Sequence, residues 1–453
     1  MSQLLPSCEQ ARETAAEVAG LLADPARVAA VTAGAYETAP AALLLPGWRP
    51  SSLLLGHAGI AMLHARLAQD DPRSSATAHA HLAAAAAAAA KAGPAGAGDL
   101  TLPALLQTAV SGGYTRLLTR SAEVHASYVA AVTSQLTDRR RSDGPGLSYA
   151  DYDVIAGLAG QGRVLLLNAE HGDGRSADVL ADVLIWLTGL ARPVRVAGHE
   201  VPGWWCAPDR YVVERDRKTF PGGDFNVGVA HGICGPLSLL ALAYLAGYRV
   251  PGMQDALRTM ADWVTGKERS DAEGARWPGR VSFEDETAPA SGERVPRSGT
   301  GWCYGTAGIA RALHLAGEAL ADPAVQERAH SAVREAFHSP PEPGMREDLT
   351  LCHGRSGLLH AGVRTAAATG DATLWEDVDA MAAAIAAGFD PQAAFGYRQV
   401  LPPGAGARAL DAPGVLDGAA GIALALLSYA DARAGRPAAR SGGSVWDAAL
   451  LTS

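Results

Sequence analysis

The sequence predicts an all-α protein, an α/α toroid (barrel) of seven inner and seven outer helices with a small loop and strand insertion. Three observations predict it. A Gly-x-x-Gly turn followed at once by an apolar run recurs along the 453 residues. Between the copies lie Ala-, Leu- and Glu-rich segments whose apolar positions repeat with helical period, the mark of half-exposed helices. The runs behind the glycine turns are apolar on nearly every side, as helices inside a large body must be. Buried and amphipathic helices alternating from one repeated unit build a continuous body even at a length where several domains would be usual, so residues 1–453 are expected to form a single domain.

In order, the copies are Gly56-His-Ala-Gly59, a degenerate one near Gly112-Gly113, Gly157-Leu-Ala-Gly160, Gly232-Ile-Cys-Gly235, Gly305-Thr-Ala-Gly308, Gly354-Arg-Ser-Gly357 and Gly418-Ala-Ala-Gly421. Each spacing leaves room for the helix after the turn and a second helix before the next one. Outer helices are expected at about 9–22, 76–91, 122–137, 177–190, 253–264, 324–336 and 373–387. The glycines permit a tight turn and close backbone approach; for Gly56, Gly157 and Gly418 packing is the whole expectation. Residues 194–226 hold Val-Arg-Val, Pro-Gly-Trp-Trp, Tyr-Val-Val and Pro-Gly-Gly, which predict short strands and turns in a loop insertion. Residues 268–300 are polar and interrupted by Gly and Pro, and both stretches lead into glycine turns, as lids or substrate-contacting rims would. The Arg-, Ser- and Gly-rich tail, 434–453, is expected to be mobile at its end.

Composition narrows the function. Apolar residues make up 48% and charged ones 19%, ordinary for a soluble globular protein with a large core;. A net charge of -9, with no basic cluster longer than Arg139-Arg140-Arg141, excludes a nucleic-acid partner, because phosphate backbones need a positive face;. That short run is expected to be a solvated helix end. Five cysteines do not form a disulfide framework in so long a chain, and they indicate a reducing compartment;. Residues 1–6 lack a basic region followed by an apolar run, and no apolar run is long enough to cross a bilayer, so a cytoplasmic protein without signal peptide or membrane span is expected.

Polar residues capable of chemistry collect just ahead of the glycine turns: Asp153 before Gly157, His231 before Gly232, Cys303 and Tyr304 before Gly305, Cys352 and His353 before Gly354. Parallel inner helices would bring all six to one mouth of the toroid. Two thiols and an imidazole form an open zinc site, since no Cys-x-x-Cys stands by to fill a fourth position, which is left to water or substrate. Asp153 also suits a helix N-cap ahead of Val154, Tyr304 either hydrogen-bonds or packs, and Cys234 reads as a small residue packed at a helix crossing.

These residues resemble the lanthipeptide cyclases, the LanC-like superfamily, and specifically its stand-alone class I lanthionine cyclases. The resemblance rests on Tyr-Asp-Val-Ile-Ala-Gly-Leu-Ala-Gly at 152–160, Ala-His-Gly at 230–232, Trp-Cys-Tyr-Gly at 302–305 and Cys-His-Gly at 352–354, in that order, and runs from about Gly56 to Leu427. It implies one zinc ion per chain on Cys303, Cys352 and His353. That ion would bind a substrate cysteine as thiolate for addition to dehydroalanine or dehydrobutyrine, giving lanthionine or methyllanthionine. It further implies that His231 transfers the proton and that Asp153 orients it or takes the thiol proton. Coordination lowers a thiol pKa from about 8.5, and two cysteine ligands leave the third sulfur nucleophilic. An imidazole titrating near neutrality suits protonation of the enolate carbon. Where the family carries an arginine four residues before the zinc-binding cysteine, this chain has Gly299; Arg297 is the nearest and stands as the implied enolate stabiliser. The implied partners are a dehydrated leader-core precursor peptide and a dehydratase and transporter complex. Alternatives are another zinc-dependent thiol-alkylating α/α toroid, such as a prenyltransferase β subunit, a glycosidase with paired carboxylates, or a non-catalytic peptide-binding scaffold for a dehydratase.

Overall fold

The computed structural model of the chain describes residues 6–37, 47–271, 274–288, 299–339, 348–401, 409–436 and 446–453. In chain order the α-helices are α1 (Pro6–Leu21), α2 (Pro25–Glu37), α3 (His57–Leu67), α4 (Ser74–Ala92), α5 (Thr101–Ser111), α6 (Thr115–Ser142), α7 (Leu158–Glu170), α8 (Gly174–Thr188), α9 (Glu214–Thr219), α10 (Cys234–Leu245), α11 (Met253–Gly266), α12 (Phe283–Thr287), α13 (Thr306–Ala319), α14 (Pro323–His338), α15 (Arg355–Thr369), α16 (Ala372–Ala387) and α17 (Ala419–Arg433).

Two kinds alternate, and sequence decides which is which. In α11 the buried residues are Met253, Ala256, Leu257, Met260, Ala261 and Val264, the three-and-four spacing of a helix with one face in water;. In α17 burial is unbroken from Ala419 to Leu427. Of the first kind are α1, α4, α6, α8, α11, α14 and α16; of the second, α3, α5, α7, α10, α13, α15 and α17. The kinds also start differently. α8, α14 and α16 begin behind Asp173, Asp322 and Asp371, whose carboxylates accept first-turn N–H groups;. α3, α7, α13, α15 and α17 begin behind a glycine with no side-chain cap.

The second glycine of the turn, inside the helix, answers to close approach within the turn itself. A Cβ on Gly160 would lie 2.0 Å from the Val154 carbonyl oxygen, one on Gly308 1.9 Å from that of Trp302, and one on Gly421 1.8 Å from that of Val415. In each case the obstacle is the carbonyl six residues back, so the helix can seat on its own incoming loop only where no side chain intervenes. The degenerate copy behaves otherwise. Gly112, at φ 69°, is the left-handed C-cap of α5, so the second buried helix starts at Thr101, before the glycines that were expected to open it; only glycine adopts that conformation cheaply. α2 is a further helix beyond the repeat.

Two compact units divide the chain, Met1–His125 with Pro340–Ala449 and Ala126–Ser339 with Leu450–Ser453. In the first, α17 packs on α1, α3 and α15, while α3 packs on α4 and α5 and α15 on α16. In the second, α10 packs on α7, α11 and α13, with α8 against α7 and α14 against α13. Short strands interrupt the second unit. β1 (Val194–Val196) and β2 (His199–Val201) form a hairpin turned through Ala197 and Gly198, at φ 48° and 88°, which matches the twist of paired strands;. Then come β3 (Asp224–Asn226), β4 (Arg269–Asp271), β5 (Gly274–Arg276) and β6 (Arg280–Ser282), with β3 antiparallel to β6 and β4 to β5. β7 (Gln399–Val400) and β8 (Ala409–Leu410) pair in the first unit.

Two expectations need correction. The arginine run does end α6, but only Arg141 is left in solvent: Arg139 pairs with Asp151, and Arg140 donates to the Gly203 carbonyl at 3.0 Å. The tail is not mobile at its end. Residues 437–445 lie outside the described residues, but 446–453 are buried except for the half-buried Ala449. Trp446 Nε1 donates to Ser428 Oγ (2.7 Å) and Asp447 accepts from His360 Nε2 (3.0 Å) and Arg364. In the second unit the carbonyls of Leu450, Thr452 and Ser453 accept from Trp302, Arg311 and Arg163. An indole and paired charges outweigh the polar composition of the stretch before them. Among the described residues no single helix is long and apolar enough to cross a membrane.

Candidate active site

Three successive glycine turns of the second unit are tied together by backbone hydrogen bonds. Val154 N–H donates to the Ala230 carbonyl (3.1 Å), and the N–H groups of Val229 and Ala230 donate to the Cys303 carbonyl (2.8 and 3.1 Å). Loops that would otherwise leave polar backbone groups buried satisfy one another, and the residues they carry are fixed as a set.

Asp153 divides its carboxylate between two tasks. Oδ1 accepts the N–H groups of Ala156 and Gly157, both at 2.7 Å, which caps the turn; Oδ2 faces His231 Nδ1 at 2.6 Å. Asp153 is not the N-cap of a helix beginning at Val154, as the sequence suggested: the helix starts at Leu158 behind Gly157, and the carboxylate caps the turn that precedes it. An acceptor-only carboxylate places the proton of neutral His231 on Nδ1 and leaves Nε2 as the atom that can exchange one. The Asp153 side chain is 1% exposed and that of His231 31%, so the imidazole reaches out from a buried anchor.

Two phenol rings flank that imidazole. Tyr149 meets it edge to face, centroids 5.1 Å apart at 63°, and Tyr304 lies tilted at 6.1 Å. Burial pushes both phenols above their ordinary value, Tyr304 well above it, with the adjacent Cys303 adding to the shift; at neutral pH both are hydrogen-bond donors, not phenolates. Cys303 is buried beside Tyr304 on the same turn, and Trp302 is anchored through Nε1 to the Leu450 carbonyl at 3.0 Å. Burial also pushes the Cys234 thiol far up, which leaves it an inert core residue, in keeping with a small residue packed at a helix crossing;.

In the first unit a parallel relay holds another pair. Cys352 N–H donates to the Leu416 carbonyl (2.9 Å), and the N–H groups of Val415 and Leu416 donate to that of Leu54 (2.9 and 3.0 Å). The Cys352 sulfur and a ring nitrogen of its neighbour His353 lie within 4.8 Å of each other. His353 Nε2 stands 3.9 Å from Asp417 Oδ1, the kind of carboxylate that orients an imidazole ligand. Cys352 is buried, while the His353 side chain is 45% exposed. A thiol and an imidazole side by side form half of a soft, tetrahedral donor set of the kind zinc takes. Arg297 lies outside the described residues.

Sequence reasoning missed three residues. Asp417 was findable: it stands immediately before Gly418 as His231, Tyr304 and His353 stand before their glycines, so aligning the copies exposes it. Tyr149 carried only a local signal, the capping box of Ser148 and Asp151 around it;. Arg280 carried none. Its guanidinium donates to Asp224 (2.6 and 3.0 Å) and pairs with Asp216 (2.9 Å), while the Gly279 carbonyl accepts from Val227, and so it fixes the strand that runs into the His231 turn.

A helix-pair α/α protein with a buried carboxylate holding an imidazole, beside a turn that carries a thiol, is the class that fold and site define. The chain belongs to the lanthionine synthetase C-like protein family, which matches residues 47–436. It is 26% identical over 215 residues to the nisin biosynthesis protein NisC of Lactococcus lactis subsp. lactis, a stretch covering 46% of this chain and 48% of that protein, about half the length of the relative. Among solved structures it is similar to a nisin cyclase, with TM-score 0.70 and 18% identity over 90% of this chain and 93% of that one. At that identity the likeness shows the fold, the α/α-toroid class expected from the glycine repeats.

Proposed function

We propose that this protein is a zinc-dependent lanthionine cyclase, which adds cysteine thiols of a dehydrated precursor peptide to dehydroalanine or dehydrobutyrine. The observation that carries the reading is the His231–Asp153 pair at 2.6 Å, flanked by phenols and built on the same relay of turns as Cys303. Cys303, Cys352 and His353 are the zinc ligands of this proposal: two thiols and one imidazole leave a position for substrate. Zinc held there supplies a Lewis acid that keeps a substrate cysteine as thiolate at neutral pH.

The chain's own residues do the proton work. Sulfur bonds to Cβ of the dehydroamino acid, the C=C electrons move to Cα and the carbonyl, and Cα takes a proton; the thiol proton leaves to base, so no atom is gained or lost overall. His231 Nε2 is the group that gives the proton to Cα. Asp153 holds Nδ1–H and thereby the tautomer and orientation, and it stabilises the imidazolium between proton transfers. Tyr304, a neutral donor, is suited to bond a developing enolate oxygen. Because dehydroamino acids arise from Ser and Thr by loss of water, a dehydratase must act first, and a transporter for the product would complete the complex in a cytoplasmic setting. The single-domain reading of residues 1–453, with 194–226 as an insertion, belongs to this proposal.

The test mixes dehydrated precursor with enzyme and counts free thiols by alkylation and mass. His231→Asn should keep zinc and peptide binding and lose cyclisation by roughly a hundredfold or more. Equal thiol loss with wild type, variant and no enzyme would remove the cyclase reading and leave a peptide-binding scaffold as the better account.

A further inference from the structure

We propose that Tyr149 is a positioning residue for the His231–Asp153 pair, fixing the plane of the imidazole so that Nε2 meets the acceptor carbon; this rests on the cyclase reading above. One hydrogen bond does not hold a ring. Held through Nδ1 alone, His231 can pivot at Asp153 and turn off the hydrogen bond that sets its tautomer, and a side chain 31% exposed has room to do so. Tyr149 is tied to both members of the pair. Its carbonyl accepts the Asp153 N–H at 3.0 Å, and its ring packs on the imidazole at 5.1 Å and 63°.

Tyr149 is itself held. Ala150 N–H donates to Ser148 Oγ (3.3 Å) and Ser148 N–H to Asp151 Oδ2 (2.9 Å), a capping box around the 3-10 turn that begins at Tyr149, and Arg139 pairs with Asp151 from the end of α6. A turn locked at both ends, with a ring aimed at the proton-transfer group, is a supporting shell of the sort that precise catalysis needs. Tyr304 covers the imidazole from its other contact, 6.1 Å away and tilted. The contact is made by the ring, so the aromatic face is what matters and the hydroxyl is dispensable.

The experiment compares wild type with Tyr149→Phe, Tyr149→Ala and Tyr149→Leu in the zinc-loaded enzyme, reading kcat and KM for thiol loss, the melting temperature, and the ring nitrogen shifts of His231 by NMR. Expected are Phe within about twofold of wild type, and Ala and Leu lower in kcat by roughly tenfold or more with KM little changed. Melting should be unmoved for Leu, and the Nδ1–H tautomer of His231 should give way to a mixture in Ala and Leu. Ala and Leu at wild-type kcat, or losses confined to KM, would overturn the proposal, and so would a Phe variant as slow as Ala, which would make the hydroxyl a catalytic group instead. Should Ala fail to fold, Leu decides by the same criteria. If wild type itself cyclises nothing, the cyclase reading fails, while the tautomer comparison still decides whether Tyr149 positions His231.

Discussion

Asp153 shows how much one carboxyl group can be asked to do, because its two oxygens answer to different neighbours. Asp153→Asn separates them. The amide oxygen can still cap Ala156 and Gly157, but the NH2 then faces His231, forces Nδ1 to accept and moves the proton to Nε2, which can no longer take up a thiol proton, while the imidazolium loses its counter-charge. We expect a folded protein with cyclisation down roughly a hundredfold or more, whereas Asp153→Ala should also lose about 1–2 kcal/mol of stability with the cap; thiol counting and thermal melts distinguish the two. A second residue-scale feature lies away from the site. His57, His64 and His81 are buried together, and burial holds them down to about 4, 4 and 3 from an ordinary 6.5. His81 Nε2–H donates to the Leu22 carbonyl (2.8 Å), so its Nδ1 accepts from His57 Nδ1–H (3.1 Å); Asp24, the one carboxylate acting on His81, opposes the shift only weakly. The unfolded chain takes up protons first, so stability is full above pH 6.5 and is lost as pH falls toward 4. A fall from 6.5 to about 4 amounts to about 3 kcal/mol for one such group;. Denaturant titrations from pH 7 to 4 should show the decline, flattened in His81→Gln; an unchanged slope in that variant would refute it.

At the scale of elements, the glycine turn is the repeated part, and its requirement differs from position to position. A Cβ on Gly308 meets the Trp302 carbonyl at 1.9 Å and Val229 at 3.0 Å, so Gly308→Ala must push α13 off the turn that carries Cys303. We expect destabilisation of roughly 2–4 kcal/mol and loss of metal. Gly20, near the exposed end of α1, has nothing within 4 Å, and Gly20→Ala should raise stability by about 0.5–1 kcal/mol;. Urea midpoints of the two variants should move in opposite directions. Much of this scale was legible in the sequence. The glycine copies, the Asp caps of α8, α14 and α16 and the period of α11 are all local patterns. Gly112 was misplaced because a C-cap and a helix-opening turn use the same residue, and only the backbone angle tells them apart.

On the scale of the whole molecule, each unit owns an apolar core that involves no metal. Helices α10 and α17 are buried along almost their whole length within the protein. We therefore expect chelation to abolish cyclisation while leaving helical circular dichroism intact, and wholesale unfolding on zinc removal would make the site structural instead. Elemental analysis should return one zinc per chain, with Cys303→Ala well below that; under a tenth of an equivalent in wild type, unrestored by added zinc, would sink the metal assignment.

By itself the sequence determined most of the helix pairs, which member of each is buried, and which side chains stand ahead of the glycine turns, but not α2, α9, α12 or the place of α5. Those features follow from backbone geometry and side-chain period over a few residues. The family resemblance of four ordered motifs was legible for the same reason. Tertiary structure alone decided that Tyr149 rather than some other aromatic packs on His231, that Arg280 braces the strand leading into it, and that Trp446 and Asp447 bury the tail against α15 and α17. Contacts between residues far apart in the chain depend on how whole helices come together, and no local periodicity encodes which distant side chain will fill a given gap.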